Sequence, residues 1–596
     1  MEKTLSQRWD LEVLFPGGSE SSAFRSFLEE LEKDIAALQA QVGRADLGLQ
    51  EKKTFVEVVS GVQAIAVRVR QAGAFVSCLT AQNMKDEAAK MLGGRVKSIS
   101  AALGSALTRW EEQLLKIDGA QWEALLADEE LAPIAFPLNE RRRRALEKLP
   151  PEQEVLANDL AVDGYHAWQD LYNAVVGRMS IEVELDGEKK QLSVGQAFNL
   201  LSHPDRAVRK QVFEKWQEAW GNETELCAQA LNHLGGFRLA LYRHRGWDSV
   251  LREPLDIGRM QEQTLNAMWQ AINNRKDRVV AYLQRKAKLL GIEKLSWYDV
   301  SAPVGSTHKK VSYDEAAALI VDNFGRFNPK MAEFAQQAFD EAWIEAEDRP
   351  GKRPGGFCTS FPVSKQSRIF MTFAGNASNV STLAHELGHA YHQQVMWDLP
   401  PLAQNYAMNV AETASTFAEM ILADAAVKNA ASDDERLVLF EDKLQSVVAF
   451  FMNIQARFLF EKNFYEQRKN GLVSAADLDR LMTEAQQEAY DGALAEYEPH
   501  FWASKLHFYI TTYPFYNFPY TFGYLFSLSV YARALAEGES FAAKYDALLR
   551  DTGRLMVEDL AKTHLGEDMT TVEFWQAAVD LAVADIDEFL RLTEEV

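Results

Sequence analysis

Apolar residues recur at three- and four-residue spacing along most of this 596-residue chain, within stretches rich in Ala, Leu, Glu, Gln and Lys. Phe24 to Leu38 and Leu437 to Phe460 are two such stretches. A period near 3.6 in good helix formers predicts amphipathic helices with one face on a core. Alternation of period two is rare. Ser180-Ile181-Glu182-Val183-Glu184-Leu185 alternates and then meets Asp186-Gly187, which suits a tight hairpin turn. A second strand pair is predicted at Gly356 to Phe361 and Arg368 to Phe373, after the Pro/Gly-rich loop Ala346 to Gly356. The pattern therefore predicts a mainly α protein with a small β-sheet. A boundary is expected near residue 200, where the hairpin ends around Val194 and Ser202-His203-Pro204-Asp205 punctuates the chain.

One predicted helix carries chemistry. It contains His385-Glu386-Leu387-Gly388-His389. Two histidines four residues apart project from one helix face, so their ring nitrogens can reach one tetrahedral ion. The glutamate between them points about 100° round the wheel, towards the fourth, open position where a water would be activated. Leu383, Leu387 and Ala390 lie roughly opposite the histidines and give the helix an apolar back. Ser378 or Asn379 is the expected cap, and Pro400-Pro401 the expected end. His392 shares the histidine face one turn on and is expected to pack or support, not to ligate.

A hydrolytic zinc site has three protein ligands plus water, so a third ligand is needed from a neighbouring helix. Glu412 is the best candidate. In the predicted helix around it, Val410, Ala414, Phe417 and Ile421 form the apolar side, and Glu412, Ser415, Thr416 and Glu419 the other. Glu419 lies on the same face two turns on, so spacing does not separate the two glutamates.

Charge and cysteine content narrow the function. The formal net charge is -23 and the sequence pI about 5.1, a surface that repels phosphate backbones and anionic lipids. No nucleic-acid or membrane partner is expected. Cys78, Cys227 and Cys358 are odd in number and far apart, suggesting neither a disulfide framework nor a cysteine metal site. Met1 to Pro16 has no apolar signal core, and no run of about 18 apolar residues occurs. A cytoplasmic location is expected. Late in the chain, twelve of the 26 residues from Phe501 to Phe526 are aromatic, against 11% overall, so most of these rings must be core. Pro519 is expected to open a helix carrying Tyr520 and Tyr524, with His507, Tyr513 and Tyr516 in the loop before it.

His385-Glu386-Leu387-Gly388-His389-Ala390-Tyr391-His392, followed by Ala411-Glu412-Thr413-Ala414-Ser415, resembles the oligoendopeptidase F branch of the thimet oligopeptidase family. Trp9-Asp10-Leu11 with Leu14-Phe15-Pro16, Gly356-Phe357-Cys358, and the segments His507-Phe508-Tyr509 and Phe515-Tyr516 through Gly523-Tyr524 are similar to the same branch. The resemblance implies a helical ellipsoid with a deep substrate channel and the small sheet beside the zinc helix. Residues 1–200 would form an N-terminal helical domain whose hairpin near 179–194 lines part of the channel wall. Residues 201–596 would form a zincin-type catalytic domain. It further implies one zinc per chain held by His385, His389 and Glu412, with Glu419 orienting a ligand histidine. The implied activity is a zinc metalloendopeptidase that hydrolyses internal bonds of short unfolded oligopeptides, using a zinc-activated water and Glu386 as general base. His507, Tyr516 and Tyr524 are the implied oxyanion donors, with Tyr513 and Tyr520 as competitors; the spacing of this late segment departs from the thimet branch. The Arg368 to Phe373 strand is expected either to offer its edge to an extended peptide or, with its partner strand, only to brace the zinc helix. A helical zinc carboxypeptidase is the rival enzyme reading, and it would need a cation for the substrate's free carboxylate. A peptide-binding scaffold with a vestigial site is the non-catalytic rival, and the intact Glu386 argues against it.

Overall fold

Helices account for 70% of the chain, against about a third in an ordinary globular protein, and the strands form only two small sheets. The structure is a computed structural model, and it describes residues 4–44, 47–185, 187–305 and 310–594. None of its helices is long and apolar enough to cross a membrane among the described residues. Tertiary contacts group the chain into two compact units. One comprises Met1–Lys148, Lys309–Ala425 and Arg533–Gly566; the other comprises Leu149–His308, Ala426–Ala532 and Glu567–Val596. These units do not map onto segments 1–200 and 201–596. Local punctuation marks where elements stop, and it carries no signal for which distant segments share a core.

In the first unit the helices Ser22–Val42, Lys52–Gln82 and Glu87–Leu114 pack on one another. Ser21 and Asp86 cap the first and third by accepting from Phe24 N and Ala89 N, which satisfies amides that helix starts leave unpaired. Phe15, Phe24 and Phe75 meet at 4.8–4.9 Å between ring centres inside this bundle. The unit also holds a three-stranded sheet of β3 (Ile344–Glu345), β4 (Phe357–Phe361) and β5 (Gln366–Phe370), with spatial order β3-β5-β4. β5 runs parallel to β3 and antiparallel to β4.

This order corrects the expected edge. The segment from Arg368 belongs to the central strand, paired on both sides, and β3 and β4 are the outer strands. The Arg368 side chain is fully buried and donates to the Asp10 carbonyl at 2.8 and 3.1 Å. Trp9 is buried next to it, with its ring 5.7 Å from Phe370 and its indole N–H on Gln82 at 2.7 Å. The N-terminal segment thus braces the sheet, and the sheet packs against both Lys52–Gln82 and the helix Ala377–Gln394.

The second unit carries the predicted hairpin. β1 (Ile181–Leu185) pairs antiparallel with β2 (Glu188–Leu192), from Ile181↔Leu192 to Leu185↔Glu188. Ile181 and Val183 are buried while Glu182 and Glu184 are exposed, as alternation requires. Gly187 takes the left-handed φ of +78°; Asp186, expected beside it in the turn, lies outside the described residues. Asp205 caps the 40-residue helix Arg206–Arg245 by accepting from Ala207 N. The stretch Leu437 to Phe460 is two helices, Asp433–Val448 and Ile454–Arg468, joined by the π-helical turn Ala449–Asn453. A π turn keeps the chain helical, so a 3.6-residue pattern does not announce it.

Candidate active site

The helix Ala377–Gln394 is positioned by its apolar back. Leu383, Leu387 and Ala390 are completely buried. Its cap is Asn376, whose side chain accepts from Asn379 N at 2.8 Å. The expected caps Ser378 and Asn379 lie inside the first turn, and Asn379 instead accepts from Ala374 N at 2.7 Å. The helix ends at Gln394, ahead of Pro400. The segment around Glu412 is not one continuous helix. A short helix Met408–Ala411 stops at Glu412, and Thr413–Lys428 begins after it, so the side chain of Glu412 leaves from a junction.

Gly388 brings the two segments together. A Cβ on this residue would lie 2.5 Å from the Ala414 carbonyl oxygen and 2.6 Å from Ser415 Cα, so only glycine permits this backbone approach. Across the contact, His385 Nε2 lies 3.1 Å from His389 Nε2 and 3.4 Å from Glu412 Oε2, and His389 Nε2 lies 3.5 Å from the same oxygen. Tetrahedral zinc with bonds of about 2.0–2.1 Å has donors roughly 3.3–3.4 Å apart. Two imidazoles and one carboxylate at these separations therefore fit a zinc ion with a fourth position open.

The surrounding groups hold the donors in place. His385 Nδ1 is hydrogen-bonded to Glu419 Oε1; in the neutral ring this keeps the proton on Nδ1 and leaves the Nε2 lone pair for a metal. Burial works against the charged ring of His385, but the Glu419 hydrogen bond and the nearby carboxylates outweigh it and raise its pKa to about 9. Burial lowers the pKa of His389. Ser415 is buried and donates to Glu412 Oε2 at 2.7 Å. Sequence pattern placed Ser415 on the polar stripe without giving it this task. The Glu386 carboxyl is buried beside the histidines, and that burial pushes its pKa up to about 7. Glu412, not Glu419, completes the donor triangle.

A model of Peptidase family M3 matches residues 199–581 of this sequence. The chain belongs to that family. A further match, to Oligopeptidase F, covers residues 113–180. This M3 peptidase is 23% identical to Oligopeptidase PepF of Bacillus subtilis, over 99% of the chain and 87% of the relative. It is also 23% identical to the chromosomal oligoendopeptidase F of Lactococcus lactis subsp. cremoris, over 98% of the chain and 97% of the relative. Its fold matches that of oligoendopeptidase-F from Enterococcus faecium with a TM-score of 0.72, at 18% identity, over 96% of this chain and 99% of the other. The resemblance to oligoendopeptidase F in the motifs thus extends over nearly the whole peptidase.

The predicted oxyanion donors and their competitors lie in the second unit. His507 sits in the 3-10 turn Leu506–Phe508 and Tyr516 in the following loop, their rings 5.2 Å apart. Tyr513 and Tyr520 each lie 5.5 Å from Tyr516, so the competitors belong to the same cluster. Tyr524, on the helix Phe518–Glu537, stacks on Phe450 at 4.6 Å. His392 is a packing residue: it is fully buried, lies flat on Tyr406 at 4.2 Å, and places Nε2 2.9 Å from Thr552 Oγ1. Burial pulls its pKa down to about 3. A lowered histidine stabilises the fold above its unfolded pKa of about 6.5 and loses that contribution as pH falls, because only the unfolded chain takes up the proton. Between pH 7 and pH 5 the stability difference between this protein and His392→Gln should shrink by about 2 kcal/mol. Denaturant titrations of both proteins at the two pH values will show it, and a difference independent of pH would contradict it.

Proposed function

We propose that this M3 peptidase is a zinc-dependent metalloendopeptidase that hydrolyses internal bonds of short, unfolded oligopeptides. The observation that carries this reading is the triangle of His385, His389 and Glu412 donors at 3.1–3.5 Å, with the buried Glu386 carboxylate beside it. Zinc bound there supplies a Lewis acid that acidifies water towards neutrality and polarises a carbonyl oxygen. Glu386 takes the proton of the attacking water and hands it to the leaving amine. Glu419 holds His385 in the ligating tautomer, and Ser415 fixes the Glu412 oxygen. His507, Tyr516 and Tyr524 are the proposed oxyanion donors. His507 and Tyr516 are in ring contact, and the buried His507 Nδ1 has no hydrogen-bond partner among the described residues.

Peptide binding is proposed along β4. Ile369 N and Met371 N donate to Trp343 O and Glu345 O, so the odd positions of β5 face β3. Cys358 stands opposite Ile369, and its backbone N–H and C=O therefore point to the open side, as do those of Ser360. An extended peptide can pair with these groups whatever its side chains. The edge begins beside the base: a Cβ on Gly356 would lie 3.4 Å from Glu386 Oε1. A cytoplasmic location is also proposed, supported by three free cysteines, two of them buried.

The test is a peptide of about ten residues blocked at both ends, a length one extended strand accommodates, with products read by mass spectrometry. Internal cuts that a chelator removes and zinc restores are the expected result. Trimming of only the free-ended version would overturn the endopeptidase reading. Cutting of neither by zinc-loaded protein would overturn the peptidase mechanism.

A further inference from the structure

We propose that Arg70 forms a subsite that binds a carboxylate of the peptide substrate, one turn along the catalytic helix from His389. This rests on the peptide-hydrolysis reading above.

Arg70 lies on the helix Lys52–Gln82 and is exposed. Its Nη2 donates to Gln393 Oε1 at 3.1 Å. Gln393 is buried, and its own amide N–H donates to the Tyr406 hydroxyl at 2.6 Å, so the amide holding Arg70 is itself held. Gln393 follows His389 by four residues, as His389 follows His385. The three share one helix face, each about 6 Å from the next along the axis. Arg70 is therefore anchored at the end of the row that carries the metal ligands. The edge strand is close as well: β4 packs against the helix Lys52–Gln82 that carries Arg70, and a Cβ on Gly356, just before β4, would lie 3.4 Å from Glu386 Oε1.

No carboxylate pairs with Arg70 among the described residues. The chain has 86 acidic and 63 basic residues, so acids are plentiful and Arg70 still stands without one. The single bond to Gln393 uses one of five guanidinium donors and leaves a fork suited to bidentate carboxylate binding. The rival carboxypeptidase reading required such a cation, and nothing in the sequence around position 70 marks it. The carboxylate has two sources, the peptide's C-terminus or an acidic side chain, and the chemistry at Arg70 is the same for both.

Four peptides of one sequence separate the sources: free acid, C-terminal amide, amide with an internal Glu, and amide with Gln in its place. Cleavage rates are compared as kcat/KM ratios within each pair, and equilibrium binding of the same pairs is measured on the Glu386→Gln variant. The wild-type protein should favour the carboxylate member of at least one pair by about 10- to 100-fold. In Arg70→Gln that ratio should fall to about one, Arg70→Lys should keep part of it, and Arg70→Glu should invert it. A preference confined to the free acid, with cuts at a constant distance from the C-terminus, assigns Arg70 to the terminal carboxylate. A preference confined to Glu over Gln assigns it to an acidic side chain. Wild-type ratios near one in both pairs, or a ratio that survives in Arg70→Gln, would overturn the subsite. If zinc-loaded wild type cuts none of the four, the peptidase reading falls, and the binding ratios still decide the subsite.

Discussion

Glu386→Gln is expected to lower turnover by roughly 1,000-fold or more while the protein keeps its zinc, since general acid–base groups contribute about 100- to 10,000-fold. The substitution keeps the shape of the side chain and removes its ability to accept a proton. Glu386 is not one of the three donors at 3.1–3.5 Å, so metal binding has no reason to fall. Burial raises the carboxyl pKa to about 7. Metal analysis alongside kcat on a blocked peptide decides the matter. A variant that cuts at near wild-type rate would remove Glu386 from the mechanism, and a variant stripped of zinc would make it a metal-site residue instead.

Gly388→Ala is the second large effect. Alanine normally favours a helix interior over glycine by about 1 kcal/mol, so local propensity predicts a gain. The tertiary contact predicts a loss, because the new methyl would sit 2.5 Å from the Ala414 carbonyl oxygen, 2.6 Å from Ser415 Cα and 2.9 Å from Ala414 C. These are backbone atoms and cannot rotate away. Separating the segments shifts Glu412, held by Ser415, away from His385 and His389. A displacement near 1 Å at a reacting centre costs about 100-fold in rate, and kcat/KM of Gly388→Ala should fall at least that far, with weaker zinc affinity. Gly73→Ala is the control: it is also helical, and a Cβ there meets nothing within 4 Å. Equal behaviour of the two variants in zinc titration and turnover would show that the close approach has no catalytic consequence.

The parts of the site that lie close together in sequence were legible there. His385, Glu386 and His389 share one helix, and helical spacing alone puts both rings on one face. The apolar back of Leu383, Leu387 and Ala390 was equally plain, and all three are buried. Glu412 was named as a ligand without its geometry: the pattern suggested an unbroken helix, whereas the chain breaks at this residue. Residue preferences cannot show such a break when both flanks are good helix formers. The strand pair was found within two or three residues, yet its role was misassigned. Edge or centre depends on β3, a two-residue strand with no pattern of its own.

Sequence by itself determined the helical class and the placing of His385, Glu386 and His389 on one helix, because these rest on a local period, and its motifs carried the family resemblance. Tertiary structure decided what depends on distant segments meeting. It supplied the donor separations that helical spacing left open between Glu412 and Glu419, showed that His385 is the histidine Glu419 meets, put β5 at the centre of the sheet and β4 at an edge, and brought Arg70 to Gln393 across more than 300 positions. The physical reason is that helical and strand periods report only which way a side chain faces. Which partner it meets is fixed by the packing of whole elements, and at this site by one glycine that lets two backbones touch.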